Sequence, residues 1–571
     1  MDNLKQQLRE PNSWLPVVVS VTVLYVCYSY YVNYYNYWAS RGIKGSKPFF
    51  VFNELYDIYF VDRFKKLRNA VEKYGKIYGT FSFGKPRLVI ADPEVIRQIC
   101  IKDFDAFQNH IVSPFANRYQ KRFLVWLQDD EWMQVRSRMV STFTNGKMKR
   151  MYKLLDGCSE DLVNNFKEQY IMARRAGKQA ADVDLFNTYS MYTMDGITSC
   201  CYSLHLARQK SIGKPKRGVA TRNSLVEDAN KVFKFDPIRL MIAALTPKFI
   251  LKATNFTLAS ESSWQGLVKR LEQLIEKRRH GEAGTGVNDD LMQMLLDANE
   301  DDEVELNELD RAENHHAGLT HETLQQDQAK LKASIMNDSN GSASVKSNTK
   351  LKLSDMDVLS NSILMLSAGL DTTRSSLSSI TYLLAHHQDV QERLYQELKK
   401  IAKYEETAMG KRLVFEYDDL TTCQYLDAVI SESLRMVPPA PFTDRQAKRD
   451  YFIKKYGVSV PKDSQILLAF YSVHHDPDYW SEPDKFNPDR FMPGEREKIV
   501  PGSYAPFSMG PRHCIGMRFS LTETKLGLAK VLMNFKFQPA PGTVYPPVAA
   551  LGLGLVAIKN CKARVTLRDL D

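Results

Sequence analysis

One segment constrains this chain more than any other: Phe507-Ser508-Met509-Gly510-Pro511-Arg512-His513-Cys514-Ile515-Gly516. It sets a single cysteine between two glycines, with a cation two residues before the sulfur. Glycine has no Cβ, so Gly510 and Gly516 permit positive φ and let the backbone pass close to a flat ligand. Arg512 has the reach to pair with a carboxylate on that ligand. The run from Cys514 to Lys530 reads as an amphipathic helix beginning at the cysteine, and a helix N-terminus favours a thiolate. Bound to haem iron, a thiolate pushes electron density onto the metal and favours O–O cleavage. An isolated cysteine would more simply be a buried structural residue. Phe507, Gly510, Arg512, Cys514 and Gly516 together arise by chance on the order of once in ten thousand chains of this length, so the residues point to haem held through Cys514.

The pattern F-x-x-G-x-R-x-C-x-G is filled at every position, and the chain after residue 40 resembles the cytochrome P450 family of haem-thiolate monooxygenases. Four further segments follow the family's order. Ala368-Gly369-Leu370-Asp371-Thr372-Thr373 lies in a long apolar-periodic helix. Gly369 is expected to weaken that helix locally and free the Thr372 hydroxyl for a ligand or water. The resemblance implies that Thr372, assisted by Asp371, delivers the protons that dioxygen reduction needs, and that Ala368 borders the haem. Without the cysteine downstream, the same hexapeptide reads as a solvated mid-helix stretch.

Glu432 and Arg435, spaced E-x-x-R, share one helical face. By resemblance they join Arg490 of Pro488-Asp489-Arg490-Phe491 in a buried charged triad with a structural role. Trp132 and Arg136 lie one helical turn apart and are suited to a haem propionate; a surface helix with an exposed arginine has the same spacing. Arg445, after the Pro438-Pro439-Ala440-Pro441 turn, matches a further propionate-binding position. His110 stands where relatives carry an arginine that touches a propionate. Adjacent His474 and His475 are read as a strand pair facing opposite ways rather than as a metal site.

Residues 14–38 form an uncharged, tyrosine-rich apolar run long enough to cross a bilayer. Residues 1–13 are expected to be a lumenal tail, 39–48 a loosely oriented linker, and 49–571 the catalytic domain, carrying a disordered acidic insertion at 298–350. The implied fold is mainly α with a small β-rich region, preceded by a transmembrane helix. Eight cysteines without a C-x-x-C pair argue for a reducing compartment. A net charge of +10 without an aromatic-interleaved basic stripe argues against nucleic acid and suits a membrane surface and an acidic redox partner.

The resemblance is nearest to the microsomal, xenobiotic-oxidising branch that includes thromboxane synthase. It implies haem b (iron protoporphyrin IX), NADPH-cytochrome P450 reductase as electron donor with cytochrome b5 as a second, a lipophilic substrate, and a single-pass endoplasmic-reticulum anchor with a cytoplasmic body. Two alternatives stay open at this point. One is an isomerase or synthase that rearranges a lipid peroxide without a reductase; the other is a non-catalytic membrane haem binder.

Overall fold

Apolar residues recurring at helical spacing make this a helical protein, and the longest such run forms its axis. The computed structural model describes residues 15–48, 62–82, 85–113, 115–204, 237–246, 261–280, 290–297, 353–407, 410–551 and 555–568, with isolated residues between 228 and 258. The expected tail at 1–13 and insertion at 298–350 lie outside the described residues. The principal helices are α1 (Leu15–Tyr35), α2 (Asp129–Val140), α3 (Asn145–Arg175), α4 (Leu185–Tyr202), α5 (Pro237–Leu245), α6 (Asp355–His386), α7 (Gln424–Met436) and α8 (Met517–Asn534). The strands that matter for the site are β1 (Ile77–Ser82), β2 (Lys85–Ile90), β3 (Ala181–Asp184), β4 (Thr443–Gln446), β5 (Gln465–Leu468), β6 (Phe535–Pro539) and β7 (Lys562–Leu567).

Helix α6 starts at a capping box in which Ser354 and Asp357 satisfy each other's backbone donors. At its other end the Gln388 side chain donates to the carbonyls of Ala385 at 2.8 Å and Phe537 at 2.7 Å, which ties the helix terminus to β6 without a proline. Along its length α6 packs on α4, while α8 packs on α3. One sheet has the order β1-β2-β5-β4, with β2 and β5 parallel and the other pairs antiparallel. A second, antiparallel sheet has the order β6-β7-β3. The mainly α architecture with small sheets matches the expectation.

The linker does not match it. Residues 39–48 are docked on β1 rather than loose. The Trp38 indole N–H donates to Thr80 O at 3.0 Å, Tyr34 and Tyr37 reach the Phe81 ring, and Gly45 pairs with Gly79. A Cβ on Gly79 would overlap the Trp38 ring, so this glycine is what lets the indole lie flat on the strand. The sequence pattern marks α1 as apolar, but only the fold brings an aromatic receiver to its end.

Candidate functional site

The loop around Cys514 is closed by its own backbone: the Cys514 N–H donates to Phe507 O at 2.9 Å. Gly510 sits at φ 70°, and a Cβ there would strike the Cys100 carbonyl, so the loop needs glycine because the backbone of Gln98–Lys102 lies against it. Gly516 differs. Its φ is −88°, and an added Cβ would meet no protein atom within 4 Å, so open space beside the cysteine, not backbone conformation, is what glycine preserves there.

The helix expected to begin at Cys514 begins at Met517, with Gly516 as its N-cap. It is also buried around its whole circumference rather than amphipathic, because α3, α6 and α7 all pack on it. The α8 dipole therefore acts little at the sulfur; the nearest stabilising donor is the Gly516 N–H. Burial pushes the Cys514 thiol up, against that N–H and the charge of Arg136. Cys514 is nonetheless exposed to a water-sized sphere. Both statements hold if the sulfur lines an internal space, reachable by a ligand and remote from bulk water. In such a place a bound metal cation is what makes a thiol a thiolate.

Three guanidinium groups gather near this sulfur. Arg136, on α2, donates to His513 O at 2.9 Å. Arg512 donates to the carbonyls of Gln108 at 2.9 Å, Leu124 at 3.2 Å and Leu127 at 2.8 Å, and lies 3.9 Å from the centre of the Trp132 ring. These bonds pin the cysteine loop to residues 108–127 and leave two of the five guanidinium N–H groups. Arg445, on β4, is fully buried, donates to Asp444 O at 2.7 Å, and has an Nε with no partner. None of the three forms an ion pair with a carboxylate among the described residues. Burial first, then repulsion from Arg445 and Arg136, pushes Arg512 down to about 8, and burial pushes Arg136 down to about 10. Guanidinium does not give up its proton in a protein, so three such cations with no carboxylate at ion-pair distance among the described residues leave room for an anionic partner.

Behind this cluster lies a second set of arginines with the opposite character. Arg435 makes a two-pronged pair with Glu432 at 2.7 and 2.8 Å, and both side chains are fully buried. Arg490 Nε approaches the same carboxylate at 3.4 Å, at ion-pair distance without hydrogen-bond alignment, and donates through Nη2 to Glu482 O at 3.0 Å. The Asn487 N–H and the His474 carbonyl complete the network. His474 and His475 lie at the end of a short helix, Phe470–His474, not on a strand. There His474 Nε2 accepts from Ala505 N at 3.0 Å, and His475 Nδ1 bonds Tyr471 O at 3.0 Å.

On α6 the expectation about Gly369 fails. The helix runs unbroken, and the Thr372 hydroxyl donates to Ala368 O at 2.6 Å, within its own helix. Gly369 serves packing instead: a Cβ would lie 2.6 Å from Ile197 Cδ1, so glycine lets α4 cross at close range. Asp371 does not turn towards Thr372. It pairs with Arg374 at 2.6 Å, and Arg374 in turn donates to Ser190 and lies over the Phe186 ring. Burial pushes the Asp371 carboxyl up, opposed by Arg374. Ala368 is exposed although most of α6 is buried, so this stretch opens onto internal space. The next residue, Thr373, bonds Ser520 on α8 at 3.1 Å, which ties the Asp371–Thr372 turn to the helix that follows Cys514.

The structure thus gathers Cys514, Arg512, Arg136, Trp132 and Arg445, and links Ala368, Asp371 and Thr372 to them through α8. It keeps Glu432, Arg435 and Arg490 apart as a closed network. Sequence reasoning missed two participants, Arg374 and Asp444. The i, i+3 spacing from Asp371 was a signal for the first; Asp444 had none, since its partner His110 is distant in sequence. A sulfur ligand opening on internal space beside unpaired cations fits a metal carried by a flat dianion such as haem.

The cytochrome P450 family profile matches residues 43–564. Cytochrome P450 3A7 of Homo sapiens is 30% identical, covering 98% of this chain and 97% of its own length. Cytochrome P450 3A5 of Homo sapiens is 30% identical over 94% and 92%, and cytochrome P450 3A16 of Mus musculus 30% over 97% and 97%.

Proposed function

The chain belongs to the cytochrome P450 family, and on that premise we propose that this monooxygenase inserts one oxygen atom from O₂ into a lipophilic small molecule, using NADPH-derived electrons from a membrane reductase, with cytochrome b5 as a second donor. The observation that carries the reading is the group of unpaired guanidiniums around an open, enclosed cysteine. When bound, haem supplies the redox chemistry that activates dioxygen. In this reading the haem is iron protoporphyrin IX; Cys514 would hold its iron as a thiolate, and Arg136, Arg445, Arg512 and Trp132 would hold its propionates. Gly510 and Phe507 would shape the ligand loop, while Gly516 and Ala368 would leave room for the group.

Protons are the task of α6. The Thr372 proton is committed to Ala368 O, so its oxygen offers lone pairs to a water or to a reacting group. Burial raises the Asp371 carboxyl while its ion pair with Arg374 opposes that rise and fixes its place, so it is a titratable group held beside Thr372 that can exchange a proton. Glu432, Arg435 and Arg490 keep the scaffold behind the site. A membrane location on the endoplasmic reticulum with a cytoplasmic body is supported by α1, whose candidate span Val17–Tyr35 has a mean hydropathy of 1.3, and by Arg41, Lys44 and Lys47 after it.

The test is a ferrous–carbon monoxide difference spectrum followed by turnover in vesicles with added NADPH-cytochrome P450 reductase. The wild-type protein is expected to show the thiolate-type band, Cys514→Ser to lose it, and Thr372→Ala to keep it while consuming NADPH without matching product. Product formation from a lipid peroxide with no reductase present would favour the isomerase reading instead.

A further inference from the structure

His110 and Asp444 are buried or partly buried beside Arg445, and neither has a role in the function described above. Asp444 Oδ1 accepts from His110 Nδ1 at 3.0 Å and from the Ile111 N–H at 3.0 Å. Burial works against this carboxylate, but the His110 and Ile111 hydrogen bonds and the nearby Arg87 overcome it and hold its carboxyl below the usual range. A charged acceptor at that distance keeps the imidazole proton on Nδ1, which leaves the Nε2 lone pair free. Arg445 Nη1 lies 3.3 Å from both Nδ1 and Nε2, over the face of the ring rather than in line with either lone pair. A protonated imidazole would set cation against cation there, and burial followed by the charge of Arg445 pushes His110 down to about 4.

We propose that His110 is a positioning residue for haem binding: Asp444 fixes its neutral tautomer and holds the ring against Arg445, so that the guanidinium is oriented by an uncharged imidazole face without being neutralised by a carboxylate. An acid in direct contact with Arg445 would cancel the charge that a propionate needs. A neutral imidazole placed between the two passes on orientation and leaves the charge available. The proposal rests on the haem-thiolate reading.

The test uses full-length holoprotein and two readouts, the rate of haem transfer to apomyoglobin and the haem reduction potential. His110→Phe is expected to speed haem loss by about tenfold or more and to lower the potential, since a displaced Arg445 compensates propionate charge less well. His110→Gln, which can donate to Asp444 and lay its planar amide against Arg445, restores both. Asp444→Asn speeds haem loss, and the double variant Asp444→Asn/His110→Phe loses haem no faster than His110→Phe alone, because Asp444 acts through the imidazole. Multiplying effects in the double variant, an equal defect in His110→Gln and His110→Phe, or an unmoved potential in His110→Phe would each overturn the proposal. A wild-type protein without the thiolate-type carbon monoxide band would sink the haem reading and this proposal with it, whereas a normal band with any of those three outcomes sinks the proposal alone.

Discussion

Two sets of buried and half-buried arginines in this molecule face opposite electrostatic situations. Around Glu432 the charges are closed: Arg435 is held by a carboxylate and by backbone carbonyls, and Arg490 approaches the same acid. Around Cys514 they are open: Arg136, Arg445 and Arg512 find carbonyls, an aromatic face and an imidazole, but no acid at ion-pair distance among the described residues. Burying a charge is costly unless it is paired. A closed set is therefore scaffold, and an open set marks where an anionic partner belongs. The residue type is the same in both places; what differs is whether the fold supplies the counter-charge.

The largest expected effect breaks the closed set. Glu432→Ala leaves the buried Arg435 and the half-buried Arg490 without their carboxylate and should cost about 3–5 kcal/mol, seen as loss of folded, haem-loaded protein in expression yield and thermal unfolding. A smaller effect comes from the converse case, a buried acid with no cation. Among the described residues neither Glu523 oxygen on α8, though both are buried, finds a hydrogen-bond partner, and burial pushes its carboxyl well above the usual range. The folded state thus binds a proton that the unfolded chain releases near its ordinary pKa. The associated stability is fully present below that pKa and is lost as pH rises towards the folded value, by at most about 1.4 kcal/mol per pH unit. Glu523→Gln should accordingly raise the unfolding temperature, and more at pH 8 than at pH 5; an equal gain at both would show that the carboxyl has found a partner.

The smallest expected change in stability is the one that sharpens the contrast most. Arg136→Met in the open set should leave haem-free protein at least as stable as wild type in denaturant titration, because it removes a cation with no counter-charge, yet haem loss from the holoprotein should quicken. A stability loss comparable to that of Glu432→Ala would erase the distinction between the two sets.

Much of this was legible in the chain. Cys514 with its flanking glycines, the E-x-x-R pair and the apolar run at residues 14–38 each carry their meaning at fixed spacing, so helical periodicity and residue chemistry identify them without tertiary contacts. The errors have a common origin. Gly369 looks like a concession to backbone freedom but answers Ile197, and Gly510, which does take the positive φ expected of it, also answers Cys100; both neighbours are remote in sequence. The expectation that α8 would have a solvent face failed because three helices surround it, which periodicity in one segment cannot report. The loose linker failed for the same reason, since Trp38 finds Thr80 only after β1 has formed.

By itself, then, the sequence determined which side chains exist to do chemistry: a thiol, a set of guanidiniums, an acid beside a hydroxyl, and an apolar span. Only the tertiary structure decided which of those charges are paired. Asp371 turns to Arg374 instead of Thr372, Asp444 reaches Arg445 through His110, and Glu432 closes one arginine set while the other stays open. The physical reason is that spacing along a chain sets which groups share a local face, whereas pairing depends on distances of a few ångströms between segments that meet only when the core is packed.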